Sequence, residues 1–117
     1  MIPVYYKPAD IPIGIRLEIS KDVYEDLSLY HQVVLILSDT QENSVVFSRN
    51  QPIPSTEFPI KVINNQYYKV WFTSEQYSLF TEGYIYAKVI FYKNQADLEK
   101  GIGKSVSYGV LLELKNE

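Results

Sequence analysis

The sequence predicts an all-β fold, an antiparallel β-sandwich of about seven strands behind an extended N-terminal arm. Three observations predict it. Apolar segments of strand length recur along the chain, several with period-two alternation. Turn-forming residues separate them at short intervals, and no helical period is sustained beyond about two turns. At 117 residues the chain has the length of one domain, and 46% AVILMFWYC is enough for a single core. Residues 1–12 are expected to form the arm and residues 13–117 the sandwich.

In the arm, Pro3, Pro8 and Pro12 deny a helix and make a poor central strand, which leaves an extended, polyproline-like path. Ile2, Val4, Tyr5 and Tyr6 are too apolar for a solvated tail. The arm is therefore expected either to lie along its own domain as an edge strand or to reach onto a neighbouring subunit. Next, IGIRLEIS places Ile13, Ile15, Leu17 and Ile19 on one face and Gly14, Arg16, Glu18 and Ser20 on the other, a half-buried strand. KDVYEDLSLY reads as a polar connection tethered to the core by Val23, Tyr24, Leu27 and Leu29. HQVVLILS, residues 31–38, is a continuous apolar run and is expected to be a central strand covered on both faces.

SDTQEN then turns the chain, and SVVFS at 44–48 is its hairpin partner. Pro52, Pro54 and Pro59 are expected to carry NQPIPSTEFP across to the other sheet or along an edge. EFPIKVI reads as a short strand, and Asn64-Asn65 as a tight turn into YYKVWFT at 67–73. Trp71, between Val70 and Phe72, is assigned to the core, since sandwich cores normally hold one such tryptophan.

The stretch SEQYSLFTEGYIYAKVIFY joins one turn to one long strand. Thr73 or Ser74 caps the turn, and Thr73 with Gln76 has capping-box spacing. Leu79 and Phe80 are expected to face the core, and Gly83 to supply a positive φ before the strand. Ile85, Ala87, Val89 and Phe91 then share one face, opposite Tyr84, Tyr86, Lys88, Ile90 and Tyr92. KNQADLEKGIGK is expected to be a mobile hairpin tip. The last strand, SVSYGVLLEL, sets Val106, Tyr108, Val110, Leu112 and Leu114 against Ser105, Ser107, Gly109, Leu111 and Glu113.

The composition excludes much chemistry. Cysteine is absent, which removes disulfides and thiolate ligands and fits a reducing compartment. Fourteen acids against eleven scattered bases give a net charge of −3, without the basic face that nucleic acid requires. The N-terminus has no basic region followed by an apolar run, and no window reaches the roughly eighteen apolar residues of a membrane span. The chain is expected to be soluble, intracellular or carried into a particle. The single histidine, His31, opens an apolar strand, and no serine sits in a Gly-x-Ser-x-Gly elbow. Metal could find only oxygen ligands beside it, and no calcium-loop pattern is present. Asp22, Glu25, Asp26, Asp97 and Glu99 lie in polar loops, without the buried cleft that paired catalytic carboxylates need. GIGK has neither the preceding strand nor the following helix of a phosphate cradle. No catalytic, metal or cofactor residue is assigned.

Eleven tyrosines, five phenylalanines and one tryptophan are the unusual feature. Tyrosine favours strands, and it favours interfaces because an apolar body carries a polar tip. Tyr67, Tyr68 and Trp71 on one strand, with Tyr84, Tyr86 and Tyr92 on another, would stack sugar rings if exposed, as in carbohydrate-binding modules. The residues assigned to partner binding are Ile2, Val4, Tyr5, Tyr6, Tyr84, Tyr86 and Tyr92.

The order IGIRLEIS, DLSLY, HQVVLILSDT and YYKVWFTSEQYSLFTEGYIYAKVIFY resembles the small Ig-like β-sandwich of bacteriophage virions. That domain is found at the N-terminus of baseplate upper proteins and in head- and tail-fibre adaptors. Asp26, Leu27, Ser28 and Tyr30 match its corner motif; Thr73, Leu79, Gly83, Tyr84 and Val89 match its later strand element. The resemblance spans most of residues 11–114. It implies a non-enzymatic virion protein, assembled in the host cytoplasm, that binds other capsid or tail proteins and forms a homo-oligomer or part of a larger assembly. The family domain continues into a stalk or receptor-binding region, whereas this sequence stops at Glu117, so the resemblance implies a self-standing adaptor or decoration subunit. No nucleic acid, membrane or cofactor is implied, and a glycan remains the alternative ligand.

Overall fold

The computed structural model describes residues 2–7, 10–49, 57–78 and 80–116. Pro8, Pro52, Pro54 and Leu79, to which the sequence gives roles, lie outside them. The described chain is all-β in character, with two packed sheets. One sheet has the order β1-β11-β10-β5-β6-β7, formed by Val4–Tyr6, Lys104–Lys115, Gly83–Tyr92, Gln32–Ser38, Ser44–Ser48 and Phe58–Pro59 in that order. The other has the order β2-β9-β8, formed by Ile11–Ile15, Tyr67–Phe72 and Lys61–Asn64. A small hairpin, β3 (Glu18–Ser20) with β4 (Val23–Tyr24), stands apart. The core lies between the sheets: Ile11, Ile13 and Ile15 of β2 with Tyr68, Val70 and Phe72 of β9 face Leu35, Leu37, Ile85, Val89, Phe91 and Leu112.

The arm is an edge strand of its own domain. β1 runs parallel to β11, pairing Val4 with Glu113, Tyr5 with Leu114 and Tyr6 with Lys115. Ile11 and Pro12 already belong to β2, where they pair with Phe72 and Trp71.

Several expectations are corrected. Trp71 is 49% exposed, because Lys69 and Trp71 share the outer face of β9 while Tyr68, Val70 and Phe72 turn inward. The strand predicted over 13–20 ends at Ile15, and Ile19 lies in the exposed β3. Of the four tethers, Leu27 is buried and Tyr24 half-buried, whereas Val23 and Leu29 face solvent. β5 is central to its sheet but covered on one face only, with Val34 and Ile36 half-exposed on the other. EFPIKVI is divided between the sheets: β7 follows β6, Ile60 is buried at the crossing, and β8 joins β9. The polar loop contains a helix, α1 (Gln95–Lys100), with Asn94 accepting from the Asp97 N–H at 2.8 Å and Gly101 closing it in the left-handed region.

The two corners follow the sequence. Asp26 accepts the Ser28 N–H at 2.9 Å, which fixes the one-turn Leu27–Leu29 segment and drives Leu27 into the core. Tyr30 packs on Phe91 with ring centroids 5.1 Å apart. At the other corner the Thr73 hydroxyl accepts the Gln76 N–H at 3.3 Å, and the Gln76 side-chain oxygen accepts the Thr73 N–H at 2.9 Å, a reciprocal capping box. Phe80 is buried, and Gly83 has a φ of 131°, closed to side chains. Thr73→Ala, which removes one half of the box, is expected to cost about 1 kcal/mol in urea denaturation without changing the m-value.

Candidate functional site

Register brings together residues that are far apart in sequence. Val4, Glu113 and Tyr84 are aligned across β1, β11 and β10, so the arm and the tyrosine strand present one continuous outer face. The next row is Val110, Tyr86 and Ser38; then come Ser107, Lys88, Ile36 and Val46, and then Ser105, Ile90 and Val34. Tyr84 is 45% exposed, Tyr86 37%, and Val4 and Tyr6 are similarly open. Lys88, Glu113 and Lys115 are the charges in these rows and in the neighbouring pair of Tyr6 with Lys115.

This face arises from strand alternation. The inner residues of β10 (Ile85, Ala87, Val89 and Phe91) are buried, and the pleat sends Tyr84 and Tyr86 outward. Bulges move Val110 of β11 to the same side. The register against β10 shifts between Ile85 and Tyr86 and again between Ala87 and Lys88, so Val110, expected to share a face with Leu112, lies beside Tyr86.

Of the seven residues assigned to partner binding, Val4, Tyr6, Tyr84 and Tyr86 lie on this open face, and Ile2 is exposed just before it. Tyr5 points the other way, half-buried against the core opposite Leu114. Tyr92 is at the far end, half-buried against Gly103 after α1, which narrows the open surface to the Tyr84 end. Sequence reading missed Val34, Ile36, Val46 and Val110. The signal for the first two was the unbroken apolar run of β5, which reflects an apolar outer face rather than a second covering layer.

At the Tyr84 end, roughly five residues of β10 (~17 Å) across five strands at ~4.8 Å spacing give on the order of 400 Å², about half of the ~800 Å² that one partner contributes to a standard interface. Tyrosine rings beside aliphatic side chains, with few charges, have the composition of an interface centre.

The polar groups that resemble catalytic parts are structurally engaged. His31 Nε2 is 2.6 Å from Gln95 Oε1, which ties β5 to α1. Glu25 accepts from the Tyr30 hydroxyl at 3.3 Å, and burial together with this carboxylate raises the Tyr30 pKa. Among the described residues no group of three or more His, Asp or Glu side chains could hold a metal ion. Asp39 is buried at the end of β5. Burial alone would raise its pKa, but hydrogen bonds from the Asn43 side chain and the Thr81, Gln41 and Asn43 backbone prevail and hold it at about 2.

Compared with protein-family models, curated proteins and solved structures, the chain matches none.

Proposed function

We propose that this chain is a non-enzymatic structural protein of a phage virion, an Ig-like adaptor or decoration subunit that docks on other capsid or tail proteins through its outer face. The observation that carries the docking role is the alignment of Val4, Glu113 and Tyr84, which joins the arm to the tyrosines in one weakly charged surface. The Ig-like reading is supported by strand order. With β2, β5, β6, β8, β9, β10 and β11 taken as B, C, C′, D, E, F and G, the sheets run B-E-D and G-F-C-C′. The sequence resemblance of the Asp26 corner and of the capped turn before Gly83 to the motifs of the virion domains also supports this reading. Mass spectrometry of density-gradient-purified particles tests the assignment: the chain is expected at a fixed copy number per particle, and its absence from infectious particles would overturn the virion role.

A second reading has a specific observation behind it. Trp71 is exposed on the outer face of the three-stranded sheet, with the Lys69 ammonium 4.8 Å from its ring, and the core role that argued against sugar stacking is gone. A carbohydrate-binding module would show glycan-array binding that disappears in Trp71→Ala. Silence across a broad array would leave the docking role alone.

A further inference from the structure

We propose that the outer face of the three-stranded sheet binds an acidic polysaccharide, with sugar rings on Trp71 and acidic groups on Lys61, Lys69 and Arg16. This rests on the carbohydrate reading of Trp71 and is independent of the docking role of the other sheet. The face is built by alternation. Ile13 and Ile15 of β2 and Tyr68, Val70 and Phe72 of β9 turn inward, which leaves Pro12, Gly14, Tyr67, Lys69 and Trp71 outside. Register sets Pro12 beside Trp71, and Gly14, Lys69 and Lys61 side by side in the next row.

This face is not arranged for the stability of the free protein. Lys61 and Lys69 are direct cross-strand partners, and like charges so placed repel. Trp71 is about half exposed. Among the described residues no carboxylate forms an ion pair with Lys61, Lys69 or Arg16, although the chain as a whole carries a net charge of −3. Asp10, just before β2, accepts the Ser74 N–H at 3.3 Å.

Aromatic rings hold the cations instead. The Lys69 ammonium is 4.8 Å from the centre of the Trp71 ring, and the Arg16 guanidinium carbon is 4.5 Å from that of Tyr67 and 4.9 Å from that of Tyr24. Tyr67 leans over β2 because residue 14 is glycine; a Cβ there would fall 2.6 Å from its ring. Rings orient a cation without neutralising it.

An anion between the two lysines would remove their repulsion. An ammonium over an exposed ring is weakly held, so an acidic group can draw Lys69 aside and leave the indole to the apolar C–H face of a sugar. Arg16 lies two residues along the chain from Gly14, roughly 7 Å, so the cations fit an extended chain rather than a lone ion. A nucleic acid fits less well. Its phosphates recur at every nucleotide, and a protein of net charge −3 repels those that the few cations of this face leave unneutralised. A polysaccharide with acid on only some of its sugars meets the lysines and the tryptophan together.

Array binding of the full chain tests this, with uronate and sulfated oligosaccharides, neutral counterparts of the same backbones, and oligothymidylate as the nucleic-acid probe. The acidic glycans are expected to bind, and their neutral counterparts at least about tenfold more weakly. The Lys61→Gln, Lys69→Gln double variant should lose at least about tenfold in affinity for the acidic glycans. Its urea midpoint should stay at or above that of wild type, because the like-charge pair is gone. Binding of neutral glycans alone would overturn this proposal and leave the carbohydrate reading standing; silence of the whole array would overturn both. Acidic binding undiminished in the double variant, or equal binding of oligothymidylate, would also overturn it.

Discussion

Phe72→Ala is expected to lower stability by about 3–5 kcal/mol and the Tm by roughly 10–20 °C. Phe72 is fully buried at the end of β9, with ring centroids 4.9 Å from Tyr77 and 5.5 Å from Phe80. Those two rings come from the capped turn, so Phe72 is the side chain on which the corner closes one end of the sandwich. Truncation leaves a cavity between groups that the Thr73–Gln76 box and β10 hold in place, and the site has little freedom to collapse. Phe72→Leu, which keeps most of the volume, should cost about 1 kcal/mol. Thermal and urea unfolding of both variants checks the pair; equal, small losses would mean that the corner packs on something other than Phe72.

Asp39→Ala is expected to cost about 2–4 kcal/mol, the second-largest single loss. The carboxylate accepts from the Gln41 N–H at 2.9 Å, the Asn43 N–H at 3.0 Å, the Asn43 side chain at 2.9 Å and the Thr81 N–H at 3.0 Å. It thereby ties the β5–β6 turn to the corner that precedes β10, and its removal strands several backbone donors at once. The pH dependence has a definite sign. The folded pKa, about 2, is below the unfolded value of 3.8, so the contribution is complete above 3.8 and is lost as the pH falls through 2. With allowance for solvent screening at a loop, the ionised form adds on the order of 1–2 kcal/mol. The stability difference between wild type and Asp39→Asn should therefore shrink steadily from pH 4 to pH 2; a difference that stays constant over that range would remove the carboxylate charge from the explanation.

The fold was legible where one element carries its own punctuation. Asp26 and Ser28, Thr73 and Gln76, and Gly83 mark corners through local hydrogen bonds and a positive φ, and all are where the sequence puts them. The alternation of β10 was equally clear because Lys88 marks its outer side. β9 lies where the sequence puts it, and the same signal marks the side on which Trp71 stands. Lys69 is the one charged residue in YYKVWF, and Trp71, two positions on, shares its outer face. α1 was announced by Asn94 and Gly101, a cap at each end, but its polar composition masked it.

The candidate face was only half legible. The outward tyrosines of β10 follow from period two, whereas the joining of Val4 to Tyr84 depends on a parallel pairing between opposite ends of the chain. No local pattern encodes that pairing. The bulges that bring Val110 to the face depend on a register that only the folded sheet defines.

The most direct test of the docking role is the incorporation of a Tyr84→Asp, Tyr86→Asp double variant into particles, measured against wild type by quantitative mass spectrometry. Both side chains are partly exposed, but they lie in a central strand and Tyr84 is paired with Glu113, so the isolated domain should lose on the order of 2 kcal/mol, and urea unfolding establishes that it is still folded before incorporation is compared. Two carboxylates at the centre of a desolvated interface should cut the copy number per particle by at least about tenfold. A stably folded variant incorporated at the wild-type level would contradict the assignment of this face as the docking surface.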